Sequence, residues 1–382
     1  MKIAMFTDTY KPQINGVVTH IEEISNFFVK RGHKITIFAP GTGKFKIRKL
    51  STNFEIVKVW SIPFYLYKGY RIPMTRLKNI SKIFEEEPFD IIHIQTPAIM
   101  GIIGSLMSKR FSIPIVGTYH TLLPEFFPYI TKGKFQDIIK KLSGHPVNRY
   151  TKFVYSRLNY TIVPSNEIKK YIESCGVKNV VCIPNGINLK IKKTEKIDIR
   201  KYNIPKNKKL LLFVGRMSFE KRIDILLKSM KYLEDEDVFL ALVGSGPYLK
   251  KYKELAKKIK LKNVKFFGYV KDEILYSIYN SADIFVSPSD SEVHPITFLE
   301  AMAFGLPIIG VNKCGAKDVI KDGFNGFVAK PRNSVDLAVK ITKLISNEKL
   351  IEKFSNNSKK MIKQYSIENT GKKLLELYKK LL

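Results

Sequence analysis

The sequence predicts two α/β domains in tandem, each a Rossmann-like parallel sheet covered by helices. Three observations support this prediction. The chain has 382 residues, more than one domain usually holds. Short apolar runs alternate with amphipathic stretches along its length. The alternation is interrupted by a polar, Lys-rich segment at 187–207, as expected of a linker. Ligands of such folds bind at the carboxyl ends of the strands, so we expect a crevice lined by the loops that follow them.

The first domain is assigned to residues 1–186. Gly16 precedes a run of apolar residues at helical spacing, and backbone without a Cβ there lets a phosphate approach, although an ordinary turn is the alternative. His120 ends the predicted strand 113–120 and is expected at the crevice, although a structural histidine is the alternative. The strands of this domain are predicted at 2–7, 34–40, 90–95, 113–120, 160–165 and 180–186.

The second domain is assigned to residues 187–365. Gly215 and Arg216 follow its first strand, and Lys221 comes five residues after Arg216. Two cations at the carboxyl edge of a sheet suit a diphosphate, although a solvated basic turn is the alternative. The strands of this domain are predicted at 209–215, 238–244, 264–268, 283–289, 308–311 and 326–328.

The stretch Ser287–Pro307 holds two acids, Glu292 and Glu300, with seven residues between them. A short helix is predicted between Pro295 and Gly305, because Pro suits the first position of a helix and Gly the turn that ends it. The unpaired amides at such a helix start form a seat for phosphate. They belong here to Ile296, Thr297 and Phe298. A helix with one capping acid and one solvated acid is the alternative.

The formal net charge of +32 makes nucleic acid and anionic membranes candidate partners. This charge divides evenly, with +16 on residues 1–190 and +16 on residues 191–382, which argues against one dedicated nucleic-acid patch. Aromatic and basic residues mix at 126–152, a pattern that suits a membrane interface or a helix packed on its own domain. No apolar run is long enough to span a bilayer, so any membrane contact is expected to be peripheral. The three cysteines match no metal or redox spacing, and a cytoplasmic location is expected.

Taken together, the motifs resemble the retaining glycosyltransferases of family 4, which have the two-domain GT-B fold. The resemblance rests on Glu-x7-Glu at Glu292 and Glu300, Gly-Arg-x4-Lys at 215–221, VGSGP at 243–247, FFGYV at 266–270, IPNGIN at 183–188 and TDTYKPQINGVVTH at the N-terminus. It implies a nucleotide-diphosphate sugar as donor, bound mainly to the second domain, without metal or other cofactor. It also implies that a C-terminal helix, about 366–382, returns to the first domain.

The resemblance also implies the roles of individual residues. Arg216 and Lys221 would grip the diphosphate, Glu300 the ribose and Glu292 the transferred sugar. From the first domain, Gly16 would reach the phosphates and His120 the sugar, which makes Glu292, His120, Arg216 and Lys221 the catalytic set. Further donor contacts are expected from Gly215, Gly244, Val270, Ile296 and Thr297. The chain departs from the family's usual aromatic-Gly pair at Val293-His294-Pro295, where His294 could donate a hydrogen bond to phosphate in place of the amide that proline lacks.

The acceptor is expected to be a membrane lipid or lipid-linked molecule. TYHTLLPEFF and the segment 148–165 are similar to the branch of the family that glucosylates diacylglycerol, and the same likeness favours UDP-glucose as donor. A soluble sugar, sugar phosphate or polysaccharide acceptor, with GDP-mannose as donor, stays open. A nucleotide-sugar epimerase on the same architecture is a further alternative, and nucleic acid is not expected as a partner.

Overall fold

The computed structural model describes residues 1–43, 45–64, 70–120, 144–190, 202, 204–205 and 207–382. The chain forms two compact units. Unit 1 contains Met1–Gly186 and Ile367–Leu382, and unit 2 contains Ile187–Ser366. Most of the aromatic and basic stretch 126–152 lies outside the described residues, which resume at 144.

Unit 1 contains a nine-stranded sheet in the order β3-β4-β2-β1-β6-β7-β8-β9, with β5 on the end of β4. All strand pairs in it are parallel except that β3 and β5 run antiparallel to β4. The strands are β1 Lys2–Phe6, β2 Lys34–Gly41, β3 Lys46–Ser51, β4 Phe54–Pro63, β5 Arg71–Pro73, β6 Ile91–Ile94, β7 Ile115–Thr118, β8 Tyr160–Val163 and β9 Val180–Cys182.

Residues 46–86, for which no element is predicted from the sequence, form β3, β4, β5 and a helix. All six residues of β3 are exposed, so this edge strand lacks the apolar alternation that reveals a strand in sequence. Its Lys and Arg side chains suit an unpaired edge, because charge there discourages pairing with another chain. The helices of unit 1 are α1 Gly16–Val29, α2 Leu77–Glu86, α3 Ile99–Phe111, α4 Gly144–Tyr155, α5 Asn166–Ser174 and, at the end of the chain, α13 Ile367–Lys379.

The expected return of the last helix to the first domain is confirmed, because α13 packs on α1. Gly371 lies so close to Phe27 that a Cβ on it would come within 2.3 Å of the Phe27 ring. Arg31 adds a two-pronged contact, with both carboxylate oxygens of Glu368 at 2.7 Å from its guanidinium. The first unit is therefore completed by residues that follow the second in sequence.

Unit 2 holds a six-stranded, fully parallel sheet in the order β12-β11-β10-β13-β14-β15. Its central strands read as unbroken apolar runs because helices cover both faces. The strands are β10 Lys209–Val214, β11 Val238–Val243, β12 Val264–Gly268, β13 Ile284–Val286, β14 Ile308–Val311 and β15 Gly326–Ala329. The helices are α6 Ile223–Lys231, α7 Leu249–Lys258, α8 Asp272–Ser281, α9 Ile296–Ala303, α10 Ala316–Val319, α11 Ser334–Ile345 and α12 Glu348–Met361.

Candidate active site

Two glycine motifs of unit 2 meet at the carboxyl ends of β10 and β11. Gly244 has a φ of +129°, and a Cβ on it would lie 1.9 Å from the carbonyl oxygen of Gly215. The amide of Gly215 donates to the carbonyl of Val243 at 3.0 Å, which fixes the two turns side by side. The turn that carries Arg216 is thus held against backbone that only glycine permits at position 244.

Lys221 and Glu292 form an ion pair in this unit, although they are 71 positions apart in sequence. Nζ of Lys221 lies 2.5 Å from Oε1 of Glu292, and their side chains are 23% and 11% exposed. Burial alone lowers the pKa of Lys221, but the carboxylates of Glu292 and Glu220 outweigh it and the pKa lies above its ordinary value. The structure therefore brings the predicted phosphate cation into contact with the predicted sugar-binding acid.

Backbone contacts hold the loop that carries Glu292. Its carbonyl accepts a hydrogen bond from the amide of Gly315 at 2.7 Å. A Cβ on Gly315 would lie 1.7 Å from the carbonyl oxygen of Val293, so no larger residue fits against this loop. Asp290, 2% exposed, accepts a hydrogen bond from Nε of Arg332 at 2.9 Å. Burial raises the pKa of Asp290, but Arg332 and Lys313 together hold it below its ordinary value.

The helix predicted between Pro295 and Gly305 is observed as α9, with one difference at its start. Pro295 is the N-cap in extended backbone, not the first helical residue, and the helix begins at Ile296. The amide of Phe298 donates to the carbonyl of Pro295 at 3.1 Å, so it is already used. The amides of Ile296 and Thr297 are then the first-turn donors that remain of the predicted phosphate seat.

Glu300 lies inside α9 and is held by Tyr279 of α8. The Tyr279 hydroxyl donates to Oε2 of Glu300 at 2.9 Å. Burial and the nearby Glu300 charge raise the pKa of Tyr279 well above its ordinary value, so the phenol stays protonated and donates. This contact was not predicted, because nothing in the sequence distinguishes Tyr279 from other apolar positions of its helix.

The two remaining candidates of unit 2 lie in apolar packing. The ring of His294, 5% exposed, lies 5.3 Å from the ring of Tyr365 in a T-shaped contact. Val270 follows β12 and packs, partly buried, against the core that includes Ile296. A hydrogen bond from His294 to phosphate stays a prediction.

In unit 1, Gly16 begins α1 as predicted, at the end of the loop that follows β1. The side-chain oxygen of Asn15 accepts hydrogen bonds from the amides of Val17 and Val18, both at 3.0 Å. Among the described residues, this cap leaves the exposed Gly16 amide as the donor of the first turn. Asn15 in turn donates to the hydroxyl of Thr9 at 2.9 Å, which fixes the loop.

His120 follows β7, at the same edge of the sheet, and is partly exposed. Its Nε2 lies 2.8 Å from Oε1 of Gln95, which follows the neighbouring strand β6. The ring of His20, from α1, lies 4.7 Å from the ring of His120. Burial, together with His20 and His93, lowers the pKa of His120 well below its ordinary value, so the imidazole is neutral. Sequence reasoning found His120 but not Gln95 or His93, which read as ordinary strand residues.

Metal ligands and membrane spans are both absent from the part of the chain that the structure describes. No group of three or more His, Cys, Asp and Glu side chains there converges as metal ligands would. No helix among them has both the length and the apolar character needed to cross a bilayer.

Two family models match consecutive parts of the chain. The model "Glycosyltransferase Family 4" matches residues 14–191 and the model "Glycosyl transferases group 1" matches residues 194–361. The chain is 30% identical to the alpha-monoglucosyldiacylglycerol synthase of Streptococcus pneumoniae, over 99% of this chain and 85% of that protein. It is 27% identical to the alpha-monoglucosyldiacylglycerol synthase of Acholeplasma laidlawii, over 99% of this chain and 96% of that protein.

Solved structures agree with the two parallel-sheet units. The crystal structure of Anabaena HepE in complex with UDP-glucose superposes with a TM-score of 0.79 over all of both chains, at 18% identity, a likeness of fold. The fold and the motifs define a hexosyltransferase of the GT-B class. The chain belongs to glycosyltransferase family 4, and its relatives are similar to it over nearly its whole length.

Proposed function

We propose that this glycosyltransferase moves glucose from UDP-glucose to diacylglycerol or a related membrane lipid, with retention of the anomeric configuration. The observation that carries the proposal is the contact between Lys221 and Glu292 beside the turn of Gly215 and Arg216. It brings the cation that we propose binds the diphosphate within hydrogen-bond distance of the acid that we propose binds the sugar. The names of the two diacylglycerol glucosyl relatives support the acceptor, and the UDP-glucose complex of HepE supports the donor.

The proposed donor site gives each side chain a separate task. Arg216 and Lys221 neutralise the diphosphate, whose negative charge grows as the sugar leaves. The amides of Ile296 and Thr297 add the positive end of the α9 dipole. Lys221 has three N–H groups, so it can keep Glu292 in place while it binds phosphate. Arg216, Lys221 and the helix amides would together stabilise the leaving group, and no step of the proposal requires a metal.

Glu292 and Glu300 are proposed to bind different parts of the donor. Oε1 of Glu292 accepts from Lys221, so the other carboxylate oxygen is proposed to accept from sugar hydroxyls. The Tyr279 hydroxyl donates a hydrogen bond to Oε2 of Glu300. We propose that this bond orients the carboxylate so that Oε1 faces the ribose hydroxyls. Gly215, Gly244 and Val270 are proposed to border the nucleotide.

Gly16, His120 and His294 complete the proposed contacts. The Gly16 amide would bind phosphate and His120 a hydroxyl of the transferred sugar. His294 would act only if its ring leaves Tyr365, from which it is separated by 5.3 Å. The substitution His294→Ala tests that contact, since unchanged donor affinity and turnover would eliminate it.

The proposed donor and the names of two relatives support retention. Glucose is α-linked in UDP-glucose, and both named relatives carry "alpha" in their names. We propose attack on the same face of the sugar, with the leaving phosphate taking the proton of the acceptor hydroxyl. The bond to phosphate breaks as the bond to the acceptor oxygen forms, and no covalent adduct with the protein intervenes. A glycosyl-enzyme adduct detected by mass spectrometry would contradict this step.

The proposed membrane contact of the acceptor side rests on α4. This helix buries Val147, Thr151 and Val154 and exposes Tyr150 and Phe153, which are 38% and 55% accessible. The exposed Arg149, Lys152 and Arg157 line the same open surface cavity as Tyr150 and Phe153. The Tyr150 hydroxyl donates to the carbonyl of Pro97, next to the start of α3, whose Ile99, Ile102 and Leu106 are exposed in turn. Aromatic and aliphatic groups among cations suit an anionic membrane interface.

The donor is tested by thermal-shift measurements with UDP, UDP-glucose, GDP and GDP-mannose. A ligand that binds only the folded protein stabilises it by about 2.7 kcal/mol at a hundred times its Kd. We expect UDP and UDP-glucose to raise the Tm and Glu300→Gln to reduce that rise. A rise with guanine nucleotides alone would replace the donor with GDP-mannose.

The acceptor surface is tested by sedimentation with anionic phospholipid vesicles. We expect binding that weakens at high salt, because the screening length falls from about 8 Å at physiological ionic strength to about 3 Å at 1 M. Phe153→Ser with Lys152→Glu should abolish it. Tyr232→Ser with Lys250→Glu is a matched control on exposed residues of unit 2. Equal loss in both double variants, or no binding by the unmodified protein, would contradict the membrane contact.

A further inference from the structure

A chain of hydrogen bonds links the C-terminal helix of unit 1 to His120. The Tyr378 hydroxyl of α13 lies 2.7 Å from Nδ1 of His93, and Nε2 of Gln95 lies 3.1 Å from the same atom. The other nitrogen of His93 lies 2.7 Å from the Thr118 hydroxyl. Oε1 of Gln95 then reaches Nε2 of His120 at 2.8 Å. We call Tyr378, His93 and Gln95 the relay.

The amide group of Gln95 gives the relay a direction. Its Oε1 can only accept, so Nε2 of His120 must carry the proton. Its Nε2 can only donate, so Nδ1 of His93 must be the acceptor. The remaining nitrogen of His93 then donates to Thr118, and the Tyr378 hydroxyl and the Gln95 amide share the single lone pair of Nδ1, with Tyr378 the shorter contact of the two. Each group of the relay thus has one consistent proton position.

Charge does not disturb this arrangement. Burial, with His20 nearby, lowers the pKa of His93 to about 3. His93, Gln95 and Tyr378 are completely buried. His20 packs on His120, but neither of its ring nitrogens has a hydrogen-bond partner among the described residues, so it does not compete with Gln95. The relay therefore controls the tautomer of His120, whose ring is neutral.

We propose that Tyr378, through His93 and Gln95, fixes His120 in the tautomer with the proton on Nε2. The ring then offers the lone pair of Nδ1, an acceptor for a hydroxyl of the bound substrate. Tyr378, His93 and Gln95 are positioning residues, which act through His120. The part that concerns substrate rests on the proposed role of His120, whereas the tautomer itself does not.

The return of the chain to unit 1 brings Tyr378 to the relay. Tyr378 packs against Phe28 of α1, with ring centroids 5.5 Å apart, so its hydroxyl is held at a fixed depth in the unit. A protein that lost α13 would lose the donor that sets His93.

The tautomer is measured by NMR on protein labelled with nitrogen-15 in histidine. The sequence has six histidines, so few signals arise, and His120→Asn assigns the one of interest. We expect a protonated Nε2 and an unprotonated Nδ1 for both His120 and His93. A proton on Nδ1 of His120 would overturn the proposal, and this result does not depend on any transferase activity.

Tyr378→Phe tests the origin of the effect. The ring keeps its packing, but His93 loses a hydrogen-bond donor, so we expect His120 to show a mixture of tautomers. We also expect kcat to fall by roughly fivefold, with KM for UDP-glucose little changed. Tyr171→Phe is the control, because it removes a hydroxyl that bonds Asn148 at 2.8 Å in the same unit. A pure Nε2-protonated His120 in Tyr378→Phe, or the same mixture in the control, would overturn the role of α13. If the unmodified protein shows no transfer activity, the proposed function is wrong, but the tautomer result is unaffected.

Discussion

Lys221 and Glu292 are coupled at the scale of single residues. Their contact predicts that Lys221→Met lowers the free energy of unfolding by about 2 kcal/mol, because a nearly buried carboxylate loses a charged hydrogen bond. Glu292→Gln should cost a similar amount, and the double variant less than the sum of the two. Urea unfolding measures the three values. Strict additivity would show that the two side chains do not stabilise one another.

The same pair predicts a kinetic effect. Lys221→Met should lower kcat by at least about a hundredfold, since removing one preorganised charge donor costs that much in comparable sites. Lys313→Met is the control, because Lys313 is also a cation near an acid of this loop, 3.7 Å from Asp290. Equal kcat losses in both variants would indicate a general effect of loop charge.

Glu300 and Tyr279 predict a separation of binding from turnover. Glu300→Gln should raise the donor Kd by roughly tenfold, because the hydrogen bonds that we propose it makes to the ribose would lose their charge. Tyr279→Phe should have a smaller effect in the same direction, since it only frees Oε2. Isothermal titration with UDP measures both. A Kd unaffected by Glu300→Gln would contradict its assignment to the ribose.

At the scale of elements, the joined turns of β10 and β11 make a prediction about glycine. Gly244→Ala should destabilise unit 2 and weaken UDP binding, because its Cβ would overlap the carbonyl oxygen of Gly215. Gly268→Ala is a matched control at the end of β12, with φ of +70° and nothing within 4 Å of its Cβ. The control should lose only about 1 kcal/mol of unfolding free energy and retain UDP affinity. Comparable loss of affinity in both would rule out the contact as the cause.

Much of the fold could be predicted at this scale, and the reasons are local. Strands such as β10 and β11 are buried on both faces, so their apolar runs are unmistakable. β3 is exposed along its length and gives no such signal. At the start of α9, Pro295 correctly marks the helix. Only the structure shows that the helix begins one residue later and that the amide of Phe298 donates to the carbonyl of Pro295.

The candidate site was harder to predict, because its contacts join distant residues. Glu292 and Lys221 each belong to a recognisable motif, and the two motifs imply separate roles. Their ion pair depends on how closely two loops come together in the fold, which the spacing of residues in the sequence does not reveal. Tyr279, Gln95 and Tyr378 carry no motif. Each looks like a residue of an ordinary helix or strand until its hydroxyl or amide is placed beside an acid or a ring nitrogen.

The whole molecule is expected to lose stability in mild acid. His20 and His93 have folded-state pKa values of about 4 and about 3, because burial disfavours their charged forms. In the unfolded chain these histidines bind protons near pH 6.5. Their contribution to the free energy of unfolding is therefore complete above that pH and is lost as the pH falls toward 4. The slope for one histidine is about 1.4 kcal/mol per pH unit.

The pH dependence of stability can be followed by a reporter that lies in unit 1. The single tryptophan, Trp60, lies in β4 and is 46% exposed, so its fluorescence reports urea unfolding of that unit. We expect the midpoint to fall between pH 7 and pH 5, and His20→Gln to reduce the slope. An identical slope in the variant would mean that His20 is already protonated when folded.

The transfer reaction tests the central claim about the whole molecule most directly. The protein is incubated with UDP-glucose labelled at its anomeric carbon and vesicles that contain diacylglycerol, and the lipid product is examined by NMR. We predict α-glucosyl diacylglycerol, formed in equal amount with free UDP. A β-linked product, glucose released only to water, or binding of UDP-glucose without any glucolipid would contradict the account.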